Sequence, residues 1–403
     1  MIDKIIKVLF IFSSSGLMAV GYFYDDRLSI YDINISVLIS VFYILSGILL
    51  LLTIRTLRFT IPKTILYAFF ILFVLATPLL WINFGYNIYG IQKYVSFSLI
   101  VIPTCIIILE TFSRKDIHFM IWVLFSISCF LLFLGYQGFD NAKELQGQRM
   151  AVMGGGPIVF GRWILVGALI LFFSTRFKTR YKFLLIPLFM FMAFAAGSRG
   201  PMYAFILVIF LYLFFNFRKH ALRIFSLISV SILFFSSIYI FDAMGYETID
   251  IQNRYHELGN PAKRMTNPTV GGYARVDRIK RSTNLIVRYP LGVGTGNWAK
   301  ETNRFSDLHH RDKEYAHNIV LELINESGLI VGLFFLLLIF SIITSRLGLT
   351  YSDTSRICFI LFIYMLINAM ISGDLMDSRL LFIFLSLYLS YSLKDHQEQY
   401  SIK

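Results

Sequence analysis

Five arginines of this chain are candidates for binding an anion, and three of them stand close to turns between apolar stretches. Arg149 precedes a Gly-Gly-Gly-Pro sequence, Arg162 follows it, and Arg199 lies inside a Gly-Ser-Arg-Gly-Pro turn. Arg275 and Arg278 fall in a polar segment further along the chain. A guanidinium group is planar and permanently charged, so it can bind phosphate oxygens through two parallel hydrogen bonds. Together the five arginines predict a binding site for an anionic lipid head group or a pyrophosphate. The alternative for any single arginine is that its side chain places the guanidinium beside a phosphate of the surrounding lipid.

His317 is the candidate general base for the same site. It stands beside Asn318 at the start of an apolar stretch, and Glu322 and Glu326 follow four residues apart on one helix face. The ordinary pKa of an imidazole lies near neutrality, which suits proton transfer at working pH. The alternative for His317 is a hydrogen-bonded residue at an interface between helices. Both roles stay open for His317 at this point, and Asn318, Glu326 and Arg162 are candidate supporting residues.

Two further patterns carry weaker signals. The sequence Gly292-Val293-Gly294-Thr295-Gly296 resembles a phosphate loop superficially, but no strand precedes it and no lysine-serine pair follows. Its glycines are more typical of a turn in which two backbones approach closely. Asp374 and Asp377 form either a second acidic site or an ion pair with Arg379.

The elements that must position these residues are membrane helices. The chain has 403 residues, of which 57% are hydrophobic and 15% charged, whereas soluble domains average about 25% charged residues. Backbone polar groups must be satisfied internally in lipid, so apolar runs of about 20 residues predict helices. We therefore predict an all-α polytopic membrane protein with about twelve transmembrane helices. The predicted spans are 5–23, 35–54, 64–82, 89–109, 117–137, 157–175, 182–197, 201–216, 222–241, 317–345, 356–373 and 379–393.

These spans divide the chain into three regions. Residues 1–241 hold the first nine helices, 242–316 form one large polar loop, and 317–403 hold the last three helices and a tail. Lysine and arginine are concentrated in alternate short connections, which predicts that both termini are cytoplasmic and that the loop lies on the outer face. Attraction to the inner leaflet then accounts for much of the net charge of +13, and no nucleic-acid partner is needed.

The large loop is predicted to contain a short amphipathic helix. Val276, Ile279, Thr283 and Ile286 recur at three and four residues, so they would share one helix face with arginines around it. We expect this helix to lie against the outer membrane-facing surface of the bundle. A solvated basic loop is the alternative.

The order of these motifs resembles the O-antigen polymerase and O-antigen ligase superfamily (Wzy and WaaL types). In that superfamily a loop arginine precedes a Pro-x-Gly-x-Gly turn, and a later His-Asn pair opens a helix that ends in a glutamate and glycines. The matching positions here extend over roughly 149–332, with a Ser-Arg-Gly turn among them. They are Arg149, Gly156, Pro157, Ser198, Arg199, Gly200, Arg275, Pro290, Gly292, Gly294, His317, Asn318, Glu326, Gly328 and Gly332.

The resemblance implies a GT-C-like glycosyltransferase that needs neither a metal nor another cofactor. Its donor and acceptor would be undecaprenyl-pyrophosphate-linked glycans, and its active site would face the periplasm from the bacterial inner membrane. Arg199 and Arg275 would hold the pyrophosphate with help from Arg149. His317 would deprotonate or orient the acceptor hydroxyl, which attacks the anomeric carbon with inversion. The sequence departs from the family at Ile279, where an aromatic residue is common, and its neighbour Arg278 adds a charge.

Three functions remain open at this point. A polymerase of O-antigen or capsule repeat units is favoured, because the turns at 155–157 and 290–294 look more polymerase-like. A ligase that transfers the finished glycan to lipid A-core shares the fold and the chemistry. A transporter of lipid-linked glycan is the remote alternative, since the middle positions of the spans are almost wholly apolar. Membrane lipids and a chain-length regulator protein are further candidate partners.

Overall fold

The computed structural model describes residues 2–20, 23, 29–30, 33–54, 57, 59–144, 156–196, 199–215, 273–303, 314–344 and 352–401. The predicted span 222–241 and Arg149 lie outside these ranges. The regular structure of the described part is helical apart from one antiparallel pair of two-residue strands, β1 (Ser29–Ile30) and β2 (Ile33–Asn34).

The described residues form fifteen α-helices, α1 to α15 in chain order. A π-helical stretch, Phe97–Val101, joins α4 to α5. The helices are α1 (Ile2–Val20), α2 (Ile35–Leu52), α3 (Ile61–Phe84), α4 (Ile88–Ser96), α5 (Ile102–Thr111), α6 (Arg114–Glu144), α7 (Pro157–Phe173), α8 (Thr179–Ala195), α9 (Arg199–Phe215), α10 (Tyr273–Arg288), α11 (Trp298–Asn303), α12 (Ile319–Ser327), α13 (Leu329–Thr344), α14 (Asp353–Ile371) and α15 (Arg379–Ser401).

The described helices have the lengths and composition of a polytopic membrane protein. Within the described residues, five stretches are long and apolar enough to cross a bilayer: Ile35–Leu52, Ile61–Phe84, Ile88–Thr111, Arg114–Tyr136 and Asp353–Ile371. Shorter apolar helices accompany them, among them α7 and α13. Many large apolar side chains on these helices are exposed in the protein alone, as expected for surfaces that face lipid. The prediction of a helical membrane protein is confirmed at this level.

The region expected to form the single span 317–345 is instead two helices, so that prediction is wrong. The chain breaks at Gly328, which has a φ of 96° and separates α12 from α13. The amide of Leu329 donates to the carbonyl of Pro290, at 2.8 Å. The break follows from this contact with a distant turn, since the hydropathy of the sequence continues across it.

The chain forms two compact units. The first comprises residues 1–123 and 274–403, and the second comprises residues 124–273. In the first unit α1 packs on α2, α13 on α3, and α15 on both α5 and α14. In the second unit α7 packs on α8 and α9.

An aromatic cluster lies in the core of the first unit. Phe97, in the π-helical stretch, packs edge-on against Phe382 of α15 with ring centroids 4.9 Å apart. Phe69 of α3 stacks on the same Phe382 ring at 5.7 Å. Phe69, Phe97 and Phe382 are buried, and offset or edge-on aromatic contacts add to the stabilisation from burial alone. This cluster fixes α3 and α4 in the frame that carries the candidate site.

Candidate functional site

The helix predicted in the large loop is present as α10, and its inner face is different from the predicted stripe. Ser282 and Leu285 are buried, whereas Ile279 and Thr283 are exposed. The indole nitrogen Nε1 of Trp298 donates to the Ser282 hydroxyl at 2.9 Å. The fully buried Trp298 therefore sets which side of α10 faces the protein, and Ile279 and Thr283 of the predicted stripe are left on the outside.

Two arginines of α10 face the segment that leads to His317. Arg278 Nη2 lies 3.9 Å from Glu314 Oε1, and Arg281 Nη1 lies 3.8 Å from Glu314 Oε2. Arg281 also pairs with Asp277 at 2.8 Å, and its guanidinium lies 5.2 Å from the Trp298 ring centre. One carboxylate therefore links the basic helix to the residues just before the candidate base.

His317 has a backbone conformation that few residues of its type adopt. Its φ is 56°, in the left-handed region, and among the described residues no other non-glycine has a positive φ. Such conformations cost free energy and persist where the surroundings hold them, often at functional sites. The rings of Tyr315 and His317 lie 4.2 Å apart, centre to centre. The imidazole is partly exposed.

Asn318 fixes the chain immediately after His317. Its side-chain oxygen accepts hydrogen bonds from the amides of Val320 at 3.0 Å and Leu321 at 3.1 Å, and so caps α12. Its Nδ2 donates to the carbonyl of Met370 in α14, at 3.1 Å. An N-cap satisfies helix amides that otherwise lack partners. Asn318 therefore caps α12 and holds its start against α14, and its supporting role in the reaction stays a prediction.

Glu326 belongs to a buried ionic cluster that the sequence reasoning missed. Lys93 Nζ of α4 lies 2.5 Å from Glu322 Oε1 and 2.9 Å from Glu326 Oε2, and all three side chains are buried. The two carboxylates of α12 share one buried ammonium as their counter-charge. The sequence does contain one indication of this cluster. Lys93 stands within an apolar run, and a charged side chain there needs a partner of opposite charge.

The cluster extends to the turn before α15. The Glu322 oxygen that binds Lys93 also accepts a hydrogen bond from the amide of Leu375, at 3.1 Å. The Tyr89 hydroxyl donates to a carboxylate oxygen of Asp374, whose other oxygen accepts from the amide of Asp377 at 2.7 Å. Tyr89 therefore joins Asp374 to α4. Asp374 and Glu322 together hold the turn before α15 beside α12.

The glycine-rich sequence after α10 is a turn in close backbone contact, as predicted. Gly292, Gly294 and Gly296 have φ values of 93°, 88° and 83°. The amides of Val293 and Gly294 donate to the carbonyls of Asn325 and Glu326, at 2.9 and 2.8 Å. This turn, residues 290–297, therefore packs on the end of α12 and positions that helix.

The same turn is anchored to the connection between α3 and α4. The indole nitrogen of Trp81 donates to the carbonyl of Thr295 at 3.0 Å, and Asn87 Nδ2 donates to the carbonyl of Gly296 at 2.8 Å. The first turn of α4 also lies very close to this segment at Gly90. A Cβ added to Gly90 would lie 2.3 Å from the carbonyl oxygen of Thr295. Turn 290–297 is thus held between α4 and α12.

We expect Gly296→Ala to destabilise the protein more than an ordinary glycine substitution. A Cβ at Gly296 would lie 2.3 Å from the Cα of Gly90, and the residue has a φ of 83°. The left-handed backbone alone costs an alanine about 1–2 kcal/mol, and the backbone clash adds to it. Thermal unfolding in detergent measures the effect. Gly47→Ala is the matched control, because its nearest neighbours are side-chain atoms no closer than 3.5 Å, and an unfolding temperature equally low in both variants would contradict the account.

The other predicted arginines are described to different extents. Arg162 is 2% exposed inside α7, and Arg199 is the first residue of α9; both belong to the second unit. Arg275 lies in the first turn of α10. For Arg199 and Arg275 the structure describes the backbone alone. In the first unit the structure thus brings Arg278 together with the segment of His317.

Comparison with known families identifies the region that contains these residues. Residues 182–336 match the family model described as O-antigen ligase, Wzy_C. This region is similar to the O-antigen ligase family, and we call it the O-antigen ligase domain. The match confirms the superfamily predicted from the motifs, and it does not separate polymerases from ligases. A search of curated proteins gives no match to the chain.

The O-antigen ligase domain covers less than half of the chain, from within α8 to within α13. It includes Arg199, α10, the glycine-rich turn and all of α12. Arg162 and Lys93 precede it. The chain is therefore a helical membrane protein whose O-antigen ligase domain contains the candidate base and three of the candidate arginines.

Proposed function

We propose that the protein is a membrane glycosyltransferase that polymerises undecaprenyl-pyrophosphate-linked oligosaccharide repeat units. The observation that carries the proposal is the contact of Arg278 and Arg281 with Glu314, three residues before the conformationally constrained His317, inside an O-antigen ligase domain. This contact brings a basic helix beside a candidate base. A glycosyl transfer with a pyrophosphate leaving group requires both chemistries at one site.

In the proposed reaction His317 accepts the proton of the acceptor sugar hydroxyl. The hydroxyl oxygen forms a bond to the anomeric carbon of the donor, and the bond from that carbon to the pyrophosphate oxygen breaks with its electron pair. Undecaprenyl pyrophosphate leaves, and the configuration inverts. Arg199 and Arg275, assisted by Arg149 and Arg278, stabilise the negative charge that develops on the leaving group. No metal is assigned a role, because fixed guanidinium charges can provide this stabilisation.

The proposal includes a topology. The chain would cross the bacterial inner membrane about twelve times in a GT-C-like arrangement, as the apolar runs suggest. Both termini would be cytoplasmic, and residues 242–316 would form a periplasmic loop. The excess of lysine and arginine in alternate short connections supports this orientation.

A ligase is the second candidate function, because the matched family model carries that description. A ligase would use the same donor, leaving group and base. It would differ in the acceptor, which would be lipid A-core instead of a second lipid-linked glycan.

Purified protein incubated with a synthetic undecaprenyl-pyrophosphate-linked repeat unit tests the proposal. Without lipid A-core, and with a chelator present, we expect a series of products that differ by one repeat unit on a gel. A single shifted band that requires lipid A-core would establish the ligase instead. If both reactions fail with the repeat unit that the source organism itself makes, the proposed function is wrong.

We expect Arg275→Lys to lower turnover even though it keeps the positive charge. An ammonium group cannot make the two parallel hydrogen bonds of a guanidinium, and one lost charged hydrogen bond of about 1.5–3 kcal/mol corresponds to about a 10- to 100-fold slower reaction. Initial rates of polymerisation measure the loss. Arg288→Lys, an exposed position on the same helix, is the matched control. Equal rates in wild type and Arg275→Lys would count against pyrophosphate binding by this residue.

A further inference from the structure

Lys93 connects two helices that are far apart in the sequence. Its ammonium is fully buried and lies between Glu322 and Glu326, which are one turn apart on the same face of α12. The separation along the chain is 229 residues to Glu322 and 233 to Glu326. A cation bound to two carboxylates on one face opposes rotation of α12 about its axis.

The position of α12 depends on such contacts because the helix is short. It has nine residues, and an isolated helix of that length is not stable in water. Turn 290–297 holds its C-terminal end, and the cap by Asn318 holds its start. Between these ends, the Lys93 contacts with Glu322 and Glu326 fix the middle of the helix to α4.

The orientation of His317 follows that of α12. Asn318, the next residue, bonds the amides of Val320 and Leu321 in the first turn of the helix. A rotation of α12 would therefore move the His317 backbone, whose left-handed φ of 56° leaves it little freedom to compensate. Lys93 and His317 are thus mechanically connected through one helical element.

We propose that Lys93 is a positioning residue for the site, which holds α12 in the rotation that presents His317 to the acceptor hydroxyl. The inference rests on the proposed function and adds a residue that precedes the O-antigen ligase domain. Lys93 acts through Glu322 and Glu326 and is not assigned a contact with substrate. Its substitution should slow the chemical step and leave donor binding unchanged.

The test uses the variant Lys93→Met/Glu322→Gln/Glu326→Gln, which removes the Lys93 ion pairs together with both of their carboxylates. We expect kcat to fall about 100-fold, as small misplacements of reacting groups do, with the donor KM within about two-fold of wild type. Hydrogen exchange, followed by mass spectrometry, should rise in residues 314–328 and stay unchanged in α3.

Lys63→Met/Glu110→Gln is the matched control. It removes a comparably buried lysine–glutamate pair, with Lys63 Nζ 3.1 Å from Glu110 Oε1, that joins α3 to α5. We expect its kcat to stay near the wild-type value. A comparable fall of kcat in both variants, or no fall in the Lys93 variant, would overturn the proposal.

Hydrogen exchange separates failure of the positioning role from failure of the proposed function. If the wild type forms no glycosidic bond, the proposed function is wrong, and exchange still reports on α12. A rise confined to residues 314–328 would then support the positioning of this segment by Lys93. Unchanged exchange there, or a rise throughout the protein, would overturn it.

Discussion

His317→Asn is expected to abolish glycosyl transfer while the protein stays folded. Asparagine tolerates the left-handed backbone that His317 adopts, with its φ of 56°, better than most residues do. It has no group that can accept the hydroxyl proton near neutral pH, and the loss of a general base slows reactions about 10²–10⁴-fold. Initial rates with the lipid-linked repeat unit measure the effect, and donor binding should be retained.

His317→Ala provides the comparison that separates chemistry from backbone strain. Alanine also lacks the imidazole but is less tolerant of the left-handed region. We expect both variants to be inactive, with the alanine variant unfolding at a lower temperature. Full-length polymer from His317→Asn would show that the residue is not the base.

Lys93→Met alone is expected to destabilise the protein strongly. It leaves two glutamates of α12 buried and without their cation, and breaking one side of a buried ion pair costs about 3–5 kcal/mol. The unfolding temperature in detergent should fall clearly below that of wild type. The expected loss of stability comes from the uncompensated charge of the two glutamates. When the partners of a buried ion pair are replaced together by neutral residues, the change is often well tolerated.

The triple variant Lys93→Met/Glu322→Gln/Glu326→Gln tests that reason. It should recover most of the unfolding temperature lost in Lys93→Met, even though it lacks every ion pair of the cluster. If the triple variant is as unstable as the single variant, the unpaired carboxylates of Glu322 and Glu326 are not the cause of the loss. If Lys93→Met is as stable as wild type, the cluster does not contribute as the geometry indicates.

The helices themselves could be predicted because their signal is local. Long apolar runs show membrane helices directly, and the period of residues 276–286 showed α10. The break at Gly328 was not predicted, because the apolar run continues into α13 and a single glycine is a weak helix-end signal; in the structure the amide of Leu329 donates to the carbonyl of Pro290. A contact with a distant turn overrode the local pattern.

The candidate residues of the site could be selected by motif, and their spatial arrangement could not be predicted. His317 and the arginines are recognisable by motif, and the O-antigen ligase domain confirms the superfamily. The inner face of α10 is set by Trp298, and the partner of Glu326 is Lys93, more than half the chain away. Such pairings depend on tertiary packing, which periodicity along one segment does not encode.

The most direct test of the central claim measures the leaving group and the new bond together. Phosphorus NMR of the purified protein with lipid-linked repeat unit and chelator should show one undecaprenyl pyrophosphate released for each glycosidic bond formed. Proton NMR of the product should show the anomeric configuration opposite to that of the donor. Release of lipid monophosphate, retention of configuration, or movement of the intact donor across a vesicle membrane without bond formation would contradict the account.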